Sequence, residues 1–433
     1  MLANRRFFWR DFPQMIKTAL NRKDLFKAIG PGLLVACAAI GGSHLVWSTR
    51  AGAEYGWQLL GLLLLANLFK YPFFLYGQKY TAATGESLLA GYRRKGVVFV
   101  YIFLLINVLT GIINIAGVSM LSAALLGGFG VTFLSIPWLT VLLMVGCAVF
   151  IILGHYRLLD GVAKLVIVLL TVSTLAALIL AVGEGSVAVD GFEAPSPWTW
   201  ASFGFLIMFM GWMPAPLDLS AWSSLWMFSR EKQTGHFASV RETLIDFHLG
   251  YGVAVLMAVI FLALGVLVMF GSGEAFSEKG TVFSQQLVEM YSRNIGDWSY
   301  YLILFAAFVT MLSTSLTCVD GYPRALAACT TLVFPKLLPS FHRIHQIWIV
   351  FAVVAASIIL LGFVQNLLQL LGFAAIISFV TSPVLAIINF WVMSGDNVPE
   401  EQRPGPILKI LSWLGILFFF GMTAGFVYAQ FIL

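Results

Sequence analysis

The sequence predicts an all-α integral membrane protein of eleven transmembrane helices, with helices 1 and 6 broken in mid-span. Three observations carry this expectation. Of 433 residues, 60% are hydrophobic and only 10% charged, against about 25% charged in a soluble domain. Eleven apolar stretches exceed the ~17 residues needed to cross a hydrocarbon core: 28–49, 57–78, 97–126, 132–153, 161–183, 198–228, 247–271, 299–320, 346–363, 366–392 and 407–431. With the N-terminus placed in the cytoplasm, 21 of the 25 Lys and Arg fall on that side, Arg50, Lys279 and Arg293 lie opposite, and Lys70 sits inside a span. Such an imbalance is the mark of a correct span count. It places the N-terminus in the cytoplasm and the C-terminus outside, in a plasma membrane (the bacterial inner membrane).

The net charge of +5 then follows from topology and does not point to nucleic acid. The basic segment 1–27 is expected to rest against anionic headgroups and lacks the apolar stretch and cleavage site of a signal peptide. Residues 28–433 form one transmembrane domain. Spans 1–5 (about 28–183) and 6–10 (about 198–392) read as two five-span units, the second inverted because the number is odd. Span 11 (about 407–431) stands outside the repeat. Residues 281–293 can form a short surface helix, and the boundary between spans 9 and 10 falls near Gln365-Asn366.

Span 1 runs from Gly30-Pro31-Gly32 into Gly41-Gly42-Ser43-His44. Gly41 and Gly42 are poor helix formers without side chains to crowd an unwound backbone. Ser43 is placed to cap the second half-helix. His44 is an ionisable ring near the midplane, where such groups face a cavity or a partner. It is read as a substrate ligand or proton carrier, or as a ring bonded to a carbonyl of the opposite break.

Span 6 carries Met213-Pro214-Ala215-Pro216-Leu217-Asp218. Two prolines without amide donors stop the helix and leave earlier carbonyls, Met210 and Gly211 among them, open to a cation or a donor. Asp218 stands where an N-cap carboxylate steadies the next half-helix, with a ligand role as the alternative. Paired breaks in two halves point to a transporter's substrate site.

Span 8 holds Thr310, Ser313, Thr314, Ser315 and Thr317. Hydroxyls in spans commonly bond back to their own helix or to a neighbour. The alternative is a sodium site formed by Ser313, Thr314 and Thr317 with span-1 carbonyls. Asp320 and Arg324, and likewise Asp160 and Lys164, have the i,i+4 spacing of ion pairs. Cys37, Cys147, Cys318 and Cys329 include no C-x-x-C pair and read as buried thiols. No nucleotide loop, catalytic dyad or haem motif is present, so neither an enzyme nor a cofactor is expected.

These residues resemble the Nramp family of divalent-metal transporters and, more distantly, the LeuT-like superfamily. The resemblance runs from Gly30-Pro31-Gly32 through the first break into Ala51-Gly52-Ala53-Glu54-Tyr55-Gly56, and resumes at Met213-Pro214. It implies a secondary transporter that moves a small cation, foremost a divalent metal, by alternating access, coupled to protons or sodium. The metal would meet His44, the Met213 thioether and the Met210 carbonyl. Family members of the ordinary kind carry Asp-Pro-Gly-Asn in the first break and Met-Pro-His in the sixth span. Here Gly41 stands in place of the aspartate, His44 of the asparagine and Ala215 of the histidine. Gly41 and Ala215 cannot titrate, and loss of the only anion favours a soft or borderline metal. It equally fits an organic solute, an amino acid or organic cation, on the same scaffold. A membrane sensor without transport is the remaining class.

Overall fold

Glycine, proline and the ends of apolar runs set the element boundaries in the computed structural model, which describes residues 21–131, 133–154, 156–184, 187–277, 280–364 and 366–432. Most of the basic N-terminal segment therefore lies outside the described residues. Among the described residues the regular structure is entirely helical. Span 1 consists of α2 (Pro31–Ala39), a wide π-helical stretch at Ser43–Ser48 and α3 (Thr49–Tyr55), after a short α1 (Arg22–Ala28). Then follow α4 (Leu60–Thr84), α5 (Leu88–Lys95), α6 (Val97–Gly127), α7 (Ile136–Ile152) and α8 (Tyr156–Glu184). Span 6 is α9 (Phe203–Gly211) and α10 (Leu219–Thr234). The chain continues as α11 (Val240–Met269), α12 (Gly280–Ile295), α13 (Tyr300–Val333), α14 (Phe341–Phe363), α15 (Leu367–Val380), α16 (Ser382–Met393) and α17 (Pro406–Phe431).

Each of the eleven expected segments is thus largely helical, and among the described residues seven helical stretches are long and apolar enough, by length and composition, to cross a membrane. Three boundaries differ from expectation. Span 8 continues to Val333, carrying Pro323 inside the helix. Span 7 starts at Val240, fixed by a capping box in which Ser239 and Glu242 bond each other's backbone. Span 10 is itself interrupted at Thr381, where Pro383 begins the second piece. The 280–295 segment is helical, and buries Phe283, Leu287 and Val288 against α6, α8 and α13.

Packing partners recur in exchange. Span 1 lies on α11 as α10 lies on α4, α8 lies on α13 as α15 lies on α6, and α7 contacts α13 as α14 contacts α6. Two glycine pairs hold span 1 against α11. A Cβ on Gly32 would strike the Asp246 carbonyl and one on Gly250 the Gly32 carbonyl; Gly52 and Gly265 meet Leu262 and Thr49 in the same way. Backbones approach this closely only where neither helix carries a side chain. Gly265→Val is accordingly expected to push α3 off α11 and lower stability by about 2–3 kcal/mol. A thermal-unfolding measurement on purified protein checks it, and an unchanged midpoint would contradict it.

Candidate functional site

The two breaks face each other across one cavity. In span 1 the helix is lost at Ile40 (φ −77°, ψ 77°). The amides of His44 and Leu45 return to the Gly41 carbonyl at 3.1 and 2.9 Å, so the interruption is short and leaves the widened turns of Ser43–Ser48. In span 6 the chain is irregular from Trp212 to Asp218 and holds a cis Met213–Pro214 peptide bond. Ala39, Gly42 and Ser43 line the cavity from one side, and Trp212, Pro214 and Ala215 from the other. Asn114, Trp222, Thr314 and Tyr322 complete it. Its volume is about 30 Å3, room for one or two water molecules.

Gly41 packs directly on span 8. A Cβ there would lie 2.6 Å from Thr314 Oγ1 and 2.9 Å from Thr314 Cγ2, while one on Gly42 would lie 2.7 Å from the Trp212 ring. The absence of side chains at this point is a packing requirement.

Several sequence-based expectations take a different form. Ser43 does not cap the following half-helix. Its hydroxyl lies between the Ala39 carbonyl, which it contacts closely, and His44 Nδ1 at 2.5 Å. His44 is fully buried, but Nε2 donates to the Ala254 carbonyl on α11 at 2.8 Å. Ser43 has one hydroxyl proton to share between the Ala39 carbonyl and Nδ1. His44 is not among the residues that line the cavity, although Ser43 is, and the carbonyl partner of Nε2 belongs to α11, outside the opposite break.

Asp218 occupies the N-cap position of α10 without a side-chain cap bond. Its Oδ2 accepts from Thr110 Oγ1 on α6 at 3.0 Å, and Oδ1 has no hydrogen-bond partner. The Met213 thioether is buried beside Ser48 Oγ at 3.9 Å. In span 8, Thr317 bonds back to the Thr314 carbonyl (2.8 Å), Thr314 reaches the Cys37 carbonyl of span 1 (3.1 Å), and the Ser313 hydroxyl is buried without a partner. Asp320 and Arg324 pair as the spacing predicts, at 2.6 and 2.9 Å. The Asp160 and Lys164 side chains lie outside the described residues.

The residue that sequence reasoning passed over is Lys70. It is fully buried on α4, and its ammonium donates to the carbonyls of Met210 and Gly211 at 2.8 Å each and of Ala215 at 3.1 Å. The Met210 carbonyl, expected to be open to a metal, therefore serves Lys70 and also the Met213 amide. Asp218 supplies the opposite charge nearby. A lone lysine in an apolar span must find partners, and that signal was present. The second omission is Asp246 at the start of α11. One carboxylate oxygen takes the Gly30 amide (3.0 Å) and the other the Gly32 amide (2.6 Å). Pro31 between them has no amide to offer.

Two interrupted helices facing across one small cavity in an apolar helical bundle define a fold of the LeuT-like kind. The fold is similar to that of a manganese transporter variant from Eremococcus coleocola, at 16% identity over 95% of this chain and 90% of that one, with a TM-score of 0.69. It is also similar to a nucleobase-cation-symport-1 family transporter in a closed conformation with bromovinylhydantoin bound (14% identity, 93% and 91% covered, TM-score 0.60). MhsT in complex with L-phenylalanine is a further match (14% identity, 90% and 98% covered, TM-score 0.57). The family model described as natural resistance-associated macrophage protein-like matches residues 32–429. An uncharacterized protein of Pasteurella multocida (strain Pm70) is 40% identical over 410 residues, 94% of this chain and 93% of that protein. The chain belongs to the Nramp family.

Proposed function

We propose that this protein is a secondary transporter that moves a small metal cation by alternating access through the cavity between its two broken helices. One observation carries the reading: both breaks border the same small cavity of about 30 Å3, with room for an ion and, as it stands, none for an amino acid. Family membership and the manganese transporter among the similar folds support a metal as cargo. The odd span count and the Lys/Arg imbalance read from the sequence support an N-terminus in the cytoplasm and a C-terminus outside. The exchanged packing partners support two inverted five-span halves, one rocking against the other. Among the described residues no group of three or more His, Cys, Asp or Glu side chains converges. The ligands would therefore be backbone carbonyls of the two breaks, joined by the Met213 thioether and Asp218 if these turn in from just outside the cavity lining, a set suited to a borderline metal.

Proteoliposomes containing the purified protein are expected to accumulate manganese, cadmium or iron with saturation. A second reading keeps the scaffold and carries an organic solute. It is favoured by the buried and unpartnered Trp222 Nε1 and Asn114 Oδ1, both on residues that line the cavity, as a donor and an acceptor for a polar molecule. Saturable uptake of an amino acid or organic cation, indifferent to added metal, would establish the second reading and end the first. Replacing sodium by choline separates sodium coupling from proton coupling in either case.

A further inference from the structure

We propose that the carbonyls of Met210, Gly211 and Ala215 form a monovalent-cation site in the span-6 break, and that the Lys70 ammonium is its tethered occupant. Three carbonyl oxygens, two from the last turn of α9 and one from the middle of the break, converge on one nitrogen at 2.8, 2.8 and 3.1 Å. An ammonium has three N–H donors and no acceptor, so each proton is used once and none is left over. The nitrogen is removed from solvent entirely, where an ammonium persists only if fully compensated. Compensation comes from the negative C-terminal end of α9 and from Asp218.

The spacing also selects the kind of ion. Magnesium binds oxygen at about 2.0–2.1 Å and calcium at about 2.3–2.6 Å. Carbonyls held 2.8–3.1 Å from a centre fit an ammonium-sized monovalent cation and would have to close in on either dication. A single charge also balances Asp218, whereas a dication would leave an excess positive charge at a buried position. The consequence for specificity is direct: while Lys70 is in place, no cargo metal can use the Met210 carbonyl, and a metal that does so must first displace the ammonium.

Chemical rescue tests this without measuring transport, so its outcome is independent of which cargo the protein carries. Lys70→Ala and Lys70→Met, the second keeping most of the apolar stem, are purified in lipid nanodiscs in choline buffer. Both are expected to lose about 5 °C or more in apparent melting temperature. Ammonium or methylammonium chloride should restore most of the loss, tetramethylammonium, which has no N–H donor, should not, and the parent protein should respond to none of them. A Lys70→Met protein as stable as the parent without added cation would overturn the proposal. So would a loss in both variants that no small cation restores, because Lys70 would then act through packing alone.

Discussion

Asp246→Ala is expected to release the first half-helix and raise the alkylation rate of the buried Cys37 thiol by about thirtyfold. The carboxylate grips α2 at its N-terminal end through the Gly30 and Gly32 amides, where the helix dipole adds to the attraction. Hydrogen bonds to a charged group are worth about 1.5–3 kcal/mol each. Losing about 2 kcal/mol net multiplies the population of a displaced α2 about thirtyfold. Cys37 lies on α2 and is only 4% exposed, so it reports the movement of that helix alone once Cys147, Cys318 and Cys329 are replaced. Asp246→Asn keeps one acceptor and should give an intermediate rate. Equal alkylation in all three proteins would mean that the glycine crossings with α11 hold α2 without help from Asp246. Any separation of α2 from α11 in the proposed transport cycle would have to break this contact.

Asp320→Ala is expected to lower the yield of folded protein sharply, at a cost of about 3 kcal/mol or more. Asp320 is 1% exposed and joins three helices: Arg324 on α13 at 2.6 and 2.9 Å, the Trp226 indole on α10 at 3.0 Å and His345 on α14 at 3.7 Å. Removal takes the anion from a largely buried guanidinium, which keeps the Ser229 hydroxyl nearby, and from the buried indole N–H. Replacing both members, Asp320→Ala with Arg324→Met, should recover much of the loss, because the cost lies in the stranded charge. Size-exclusion profiles and unfolding midpoints of the two single variants and the double variant measure the coupling. A double variant no better than Asp320→Ala would refute the pairing as the cause.

The sequence made the breaks in spans 1 and 6 legible because glycine and proline act locally: Gly41-Gly42 and Pro214/Pro216 weaken the helix wherever they stand. The same logic applies to Thr381-Ser382-Pro383, where the proline was read as part of one continuous span although it begins a new helix. Side-chain direction was less accessible. His44 is buried, but it sits in the widened turns of Ser43–Ser48. Such turns change the angle per residue, so a 3.6-residue wheel no longer tells which way the ring faces. The occupant of the span-6 break was hidden for a different reason. Lys70 finds its partners in backbone carbonyls some 140 residues away, and a carbonyl leaves no trace in the residue code.

Gly41 limits what chemistry can be added at this point of the cavity. Atoms of the Thr314 side chain would lie 2.6–3.1 Å from any new Cβ at position 41. A carboxylate can therefore be engineered into the first break only if position 314 is trimmed at the same time or α13 moves outward. Installing an anion here is a two-residue task.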